Sequence, residues 1–64
     1  MPDAEIEAER VALLAEEQAL MADQKRLRLT PDDRTAHAAH RERLKAHTER
    51  VRAFKDALQR RSDT

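Results

Sequence analysis

The chain has 64 residues, carries 13 acidic and 13 basic side chains, and contains neither cysteine nor glycine. This length allows one small domain, and chains this short bury little surface and usually need disulfides, a metal or partner subunits to be stable. The absence of cysteine excludes disulfides, thiolate metal sites and cysteine catalysis. The N-terminal segment is acidic and no long apolar run is present, so we expect a cytoplasmic protein without a signal peptide or membrane contact.

Two helices separated by one break are predicted. Ala, Glu, Arg and Leu dominate the sequence, and all four favour helices. At the break, Thr30 is the expected N-cap and Pro31 the expected first residue of the second helix. The prediction is one helical-hairpin domain over 1–64, with helix 1 at about 3–28, a hinge at about 29–30, helix 2 at about 31–61 and a short C-terminal tail. Because the hinge lacks the glycine that commonly ends a helix, one continuous kinked helix is the alternative.

Apolar residues of helix 1 repeat with helical spacing. Four of them are seven residues apart, and two more lie one position later on an adjoining track: Ile6, Leu13, Leu20 and Leu27, then Leu14 and Met21. This arc is broader than a single stripe, so helix 1 is expected to contact more than one neighbouring helix.

Helix 2 carries a heptad pattern with histidines at core-type positions. Two series have a spacing of seven, the second lying three residues after the first: His37, Leu44, Val51 and Leu58, then His40, His47 and Phe54. This is the a/d pattern of helices that pack side by side. The apolar members of both helices are the predicted core and interface.

Both helices present alanine or apolar surface on more than one flank, which a lone hairpin cannot cover. The predicted fold is therefore an all-α antiparallel helical hairpin that dimerises into a four-helix bundle. A homodimer is the favoured assembly, and an unidentified protein partner is the other interpretation.

Charge is divided between the two helices. Residues 1–24 hold seven carboxylates against one arginine, whereas residues 25–64 hold twelve basic against six acidic side chains. One interpretation is mutual neutralisation, which affects pairing and register. The other is a nucleic-acid surface on helix 2, formed by Arg50, Arg52, Lys55, Arg60 and Arg61. The lack of aromatic platforms and of a known binding motif counts against nucleic acid.

The stretch HAAHRERLKAH, residues 37–47, contains all three histidines. With a hinge near residue 30, Leu20 is expected beside His40 and Leu13 beside His47. Buried polar groups need partners, so a network is predicted in which Glu17 serves His40, His47 or Arg43, and Gln24 serves His37.

Four interpretations of the histidines stay open. They are neutral structural residues, or a partly exposed stripe without a role. Alternatively, His37 and His40 bind zinc near a twofold axis. In the fourth, protonation adds positive charge to an already basic seam, and association is weaker at about pH 5 than at about pH 8.

Catalytic chemistry is not expected. The sequence has no glycine-rich phosphate loop and no serine placed with a base, and two helices alone cannot enclose a pocket. The prediction is therefore no enzyme, no catalytic residue and no cofactor apart from the zinc alternative.

The Glu- and Leu-rich helix 1, the Thr-Pro-Asp-Asp hinge and the heptad helix 2 ending in VRAFKDALQRR resemble small bacterial two-helix hairpin proteins of unknown function. The resemblance spans most of the chain, implies the hairpin fold, and carries over no site residue. The sequence thus predicts a self-associating scaffold or adaptor for protein–protein interaction. Nucleic-acid binding by helix 2 is the alternative, and a histidine-based metal or pH sensor at the subunit interface is the third.

Overall fold

A computed structural model describes residues 2–62, which form two α-helices joined by a six-residue connection. α1 spans Asp3–Leu27 and α2 spans Arg34–Ser62. The helices pack against each other and run antiparallel, because an ion pair joins Asp3 at the start of α1 to Arg61 at the end of α2. The molecule measures 50 × 16 × 11 Å. The predicted all-helical hairpin is confirmed at this level.

α1 begins directly after Pro2, whose carbonyl accepts the backbone N–H groups of Glu5 and Ile6 at 3.0 Å. The backbone of Pro2 is extended, with φ −64° and ψ 154°, so the chain enters the helix at this residue. The ends of α1 carry charges that suit the helix dipole. Acidic side chains lie in the first turn and basic ones in the last: Asp3 and Glu5, then Lys25 and Arg26.

The connection ends α1 without a left-handed residue. The N–H of Leu29 bonds to the carbonyl of Arg26, and that of Thr30 to the carbonyl of Leu27, both at 3.1 Å. No residue from 2 to 62 has a positive φ. Continued right-handed turns therefore satisfy the last carbonyls of α1, and the connection needs no glycine.

α2 begins three residues later than predicted, and its N-cap is Asp33 rather than Thr30. The carbonyl of Thr30 accepts the N–H of Asp33 at 3.2 Å, which closes a tight turn with Pro31 in its second position. Asp33 Oδ1 then accepts the N–H of Ala36 at 3.0 Å. Proline suits both a turn and a first helical position, and Asp caps as well as Thr. The sequence therefore allowed both starts.

The core is a single row of leucines. Among residues 2–62, the buried apolar side chains are Leu13, Leu20 and Leu27, and the buried charged one is Asp23. None of these residues is completely enclosed, since even the most deeply buried of them, Leu27, is 6% exposed. The hairpin is therefore one thin layer with a narrow core.

The surface of the chain is large for its mass. The accessible surface is 5341 Å², whereas a compact monomer of 7.4 kDa exposes about 4,200 Å². The radius of gyration is 14.9 Å, against about 11 Å for a compact chain of this length. The extra accessible surface and the larger radius of gyration both follow from the elongated shape of a two-helix hairpin. Neither helix contains, within the described residues, a stretch long and apolar enough to cross a membrane.

Candidate functional site

Polar side chains between the helices form two repeating sets, and the first is centred on Asp23. His40 Nδ1 donates to Asp23 Oδ2 at 2.9 Å, since a carboxylate only accepts, and Arg43 donates to the same oxygen. Arg26, one turn further along α1, donates to Asp23 Oδ1. The Asp23 side chain is only 9% exposed, so these three donors satisfy a carboxylate that water scarcely reaches.

The second set repeats the first at a distance of seven residues in each helix. Glu16 Oε1 accepts from His47 Nδ1 at 2.6 Å, and Arg50 donates to Glu16 Oε2. Arg50 also donates to Glu9 Oε1 at 2.9 Å. The residues of both sets that pair across the two helices form what we call the charged ladder: Glu9, Glu16, Asp23, His40, Arg43, His47 and Arg50.

The charged ladder keeps α1 negative and α2 positive at the contact. Hydrogen bonds from Arg43 and then His40 hold the pKa of Asp23 well below its usual range, although burial opposes them. The hydrogen bond to Glu9, together with the charge of Glu16, raises the pKa of Arg50. Because the two helices carry opposite signs here, the ladder favours this antiparallel register over those that face like charges.

The register differs from the predicted one by three residues of α1. Asp23 lies beside His40, where Leu20 is predicted, and His47 shows the same difference. The cause is the later start of α2 at Arg34. Each α2 residue lies closer to the connection than expected and so meets a later residue of α1.

Three members of the predicted polar network lie elsewhere. Glu17 and Gln24 line a groove on the side of the hairpin away from the ladder carboxylates, and Glu16 rather than Glu17 holds His47. His37 Nε2–H donates to the carbonyl of Thr30 at 3.1 Å, rather than to Gln24. His37 thus ties the start of α2 to the connection.

This groove, which we call the open groove, measures about 1050 Å³ and runs between the helices. Its lining includes Met21, Leu44 and Val51, together with all three histidines. Met21 is 55% exposed and Leu44 46%. Leu14, seven residues before Met21, is 49% exposed and continues the same stripe of α1. The open groove is therefore an apolar surface that the hairpin leaves uncovered.

The predicted apolar residues fall into three groups of burial. Three are buried: Leu13, Leu20 and Leu27. Four are half-buried: Ile6, Val51, Phe54 and Leu58. Three are exposed: Leu14, Met21 and Leu44. The first group forms the seam of the hairpin, and the third lies where a further helix layer could pack.

The five cations of the predicted nucleic-acid surface are not brought together. Arg50 is held by Glu9 and Glu16, and Arg61 pairs with Asp3. Arg52 and Lys55 line the open groove. Arg60 is exposed.

The predicted metal ligands His37 and His40 line the same groove, but each has one ring nitrogen already bonded within the chain. In the part of the chain from 2 to 62, no three histidine or carboxylate side chains converge on a common point suited to a metal ion. Any ion bound by these histidines would need ligands from outside the chain.

Sequence reasoning missed three members of the charged ladder, Glu9, Glu16 and Asp23, and it assigned Arg50 to a different surface. The signal was present, because the three carboxylates are spaced by seven and each lies three residues after a core-type apolar residue of helix 1. The a/d pattern that placed the histidines of helix 2 in the seam applies to these carboxylates in helix 1.

The described residues therefore present two surfaces that bear on function. The charged ladder is closed by its own ion pairs, and the open groove exposes apolar side chains and imidazole rings. Comparisons of the chain with protein-family models, curated proteins and solved structures gave no match.

Proposed function

We propose that this hairpin is a self-associating protein–protein interaction module, and that two copies pack groove to groove as a four-helix bundle. Its role is assembly, as a scaffold or adaptor, rather than catalysis. The observation that carries the proposal is the apolar stripe of the open groove. Met21 and Leu44 are each about half exposed, and the core among residues 2–62 consists of three leucines.

The size of the exposed surface supports this proposal. The chain exposes about 1,100 Å² more than a compact monomer of its mass. A typical stable interface buries about 800 Å² on each partner. A second copy on the open groove could therefore cover the surplus, and oligomerisation is one of the usual ways in which small domains gain stability.

The positions of the exposed residues also suit a second copy. Met21 lies between Glu16 and Asp23 along α1, and Leu44 lies between their partners His47 and His40 along α2. Met21 and Leu44 therefore occupy the same level of the hairpin. A twofold axis crossing the helices at this level brings the apolar patch of one copy onto the same patch of the other, as an isologous interface requires.

Sedimentation equilibrium at tens of micromolar tests the proposal. We expect the wild-type chain to have twice its mass of 7.4 kDa, and Met21→Gln with Leu44→Gln to have the mass of one copy. The matched control is Val11→Gln with Leu29→Gln, because these residues are at least as exposed as Leu44 but lie outside the open groove. A wild-type chain that is a compact single copy overturns the proposal, as does dissociation of the control alone.

A further inference from the structure

We propose that the open groove is one half of a zinc site, in which His40 Nε2 of one copy and His47 Nε2 of a second copy bind the same ion. This inference rests on the self-association proposed above and names an inorganic ligand for the same surface. The site is incomplete in a single chain.

The orientation of the two imidazole rings is the first argument. Each ring donates from Nδ1 to a carboxylate, His40 to Asp23 at 2.9 Å and His47 to Glu16 at 2.6 Å. A neutral imidazole that donates from Nδ1 carries its lone pair on Nε2. Carboxylate, imidazole and metal in this order form the usual arrangement of a protein zinc ligand, in which the carboxylate fixes the tautomer and the ring.

The position of the two histidines relative to the two faces of the hairpin is the second argument. Asp23 and Glu16 line the opposite face of the hairpin, whereas His40 and His47 line the open groove. The histidine side chains are only 13% and 11% exposed, so packing holds the rings in place. Each histidine therefore contacts both sides of the seam, because its Nδ1 bonds to a ladder carboxylate and the residue also lines the open groove.

The spacing of the histidines explains why two copies are needed. Seven residues separate His40 from His47, which is about 10 Å along a helix, and both zinc–nitrogen bonds would have to be near 2.0–2.1 Å. One chain therefore cannot supply both ligands to one ion. Leu44 lies midway between them and is exposed. The twofold axis proposed at this level brings His40 of one copy opposite His47 of the other and so creates two equivalent sites.

Glu17 is the candidate for a third ligand. It follows Glu16, the partner of His47, and its exposed side chain lines the open groove. Two histidines and one carboxylate are a common donor set for zinc, and they leave a fourth position for water. His37 is not part of this site, because its Nε2–H is directed to the carbonyl of Thr30.

The test uses the full chain and measures two quantities, mass by sedimentation equilibrium and bound metal by titration with ZnCl₂ after treatment with EDTA. We expect one zinc ion per chain, a rise in melting temperature and tighter dimerisation with zinc. His47→Gln should abolish these effects, because each ion then loses one imidazole. His37→Gln is the matched control and should bind zinc like the wild type.

A second variant tests whether Asp23 orients the ring of His40 for zinc, independently of whether the chain folds. Asp23→Asn leaves His40 in place but weakens its orientation, so zinc affinity should fall about 10–100-fold. Visible absorption of bound Co²⁺ reports the ligand set independently of mass, and circular dichroism confirms that each variant stays helical.

The outcomes distinguish this inference from the proposed function. A dimer in EDTA that binds no zinc overturns the metal site and leaves self-association intact. A single copy with and without zinc overturns both. Zinc binding that is equal in the wild type and His47→Gln overturns the assignment of ligands.

Discussion

The two sides of the hairpin seam differ in whether their side chains find partners within the chain. On one side, Asp23 and Glu16 each find a histidine and an arginine on α2, so the ionised groups are paired within the chain. On the other side, Met21 and Leu44 are about half exposed, and no further layer of the hairpin covers them. The two ladder carboxylates are paired within the chain, while the apolar side chains of the open groove stay about half exposed.

This contrast separates what sets the register from what limits stability. Exposed and half-exposed ion pairs add little free energy but penalise pairings that face like charges. Burial of apolar area supplies most of the folding free energy, and among residues 2–62 nearly complete burial is confined to one row of leucines. The charged ladder accordingly sets which residues of α1 and α2 meet. Burial of the apolar side chains of the open groove would add further stability.

The largest expected effect tests whether the leucine row holds the two sides together. Leu20 borders both the open groove and the ladder face and is 7% exposed. Leu20→Ala should lower the free energy of unfolding by about 2–5 kcal/mol, because it removes buried methyl groups and leaves a cavity. Urea unfolding followed by circular dichroism measures this change.

Leu29→Ala is the control for the leucine row, since Leu29 is 83% exposed. It should change stability by no more than about 0.5 kcal/mol. Equal unfolding curves for the two variants would contradict the assignment of the core.

The next effect tests the ladder through its response to acid. Arg43 and His40 hold the pKa of Asp23 below its usual range. The resulting stabilisation is complete above the pKa of an unfolded aspartate, about 3.9, and is lost as the pH falls through the lower pKa of the folded state. Urea unfolding from neutral pH to below about pH 3 should show this acid-dependent loss.

Asp23→Asn should be less stable than the wild type at neutral pH and should lose less stability on acidification. Asp32→Asn is the matched control, because Asp32 is an exposed carboxylate of the connection. If Asp23→Asn keeps the full acid-dependent loss, the ladder does not depend on this carboxylate.

The smallest of these effects tests which residue caps α2, and therefore where the seam between the helices begins. Asp33 Oδ1 caps α2 through the N–H of Ala36. Asp33→Ala should cost about 0.5–2 kcal/mol, whereas Thr30→Ala should cost less, because only the backbone carbonyl of Thr30 bonds to Asp33 and His37. Thermal unfolding of the two variants compares them, and the reverse order would move the start of α2 back toward the predicted position.

The helices and the leucine row could be predicted from the sequence because both depend on short-range spacing. Leu13, Leu20 and Leu27 repeat every seven residues and belong to the longer of the two apolar tracks of helix 1. Thr30 and Pro31 correctly mark the break between the helices, since proline disfavours a helical conformation in the residue before it.

The partners of the histidines could not be predicted with the same accuracy. They depend on the register, and the register depends on the conformation of the connection, where Thr30 and Asp33 compete as caps. An error of three residues in the start of α2 replaces Asp23 by Leu20 as the neighbour of His40. Coverage of Met21 and Leu44 by another molecule would be a property of an assembly, and spacing within one chain indicates only that such a surface exists.

The repeat of the charged ladder has a consequence for the register of the two helices. Because its two sets are identical in kind and seven residues apart, sliding α2 by one heptad would place His47 beside Asp23 and re-form one set. Such a slip moves the helix by about 10 Å and would break the hydrogen bonds from the N–H of Asp33 and from His37 to the carbonyl of Thr30. The folded connection thus favours one register where the repeating side chains alone would allow two.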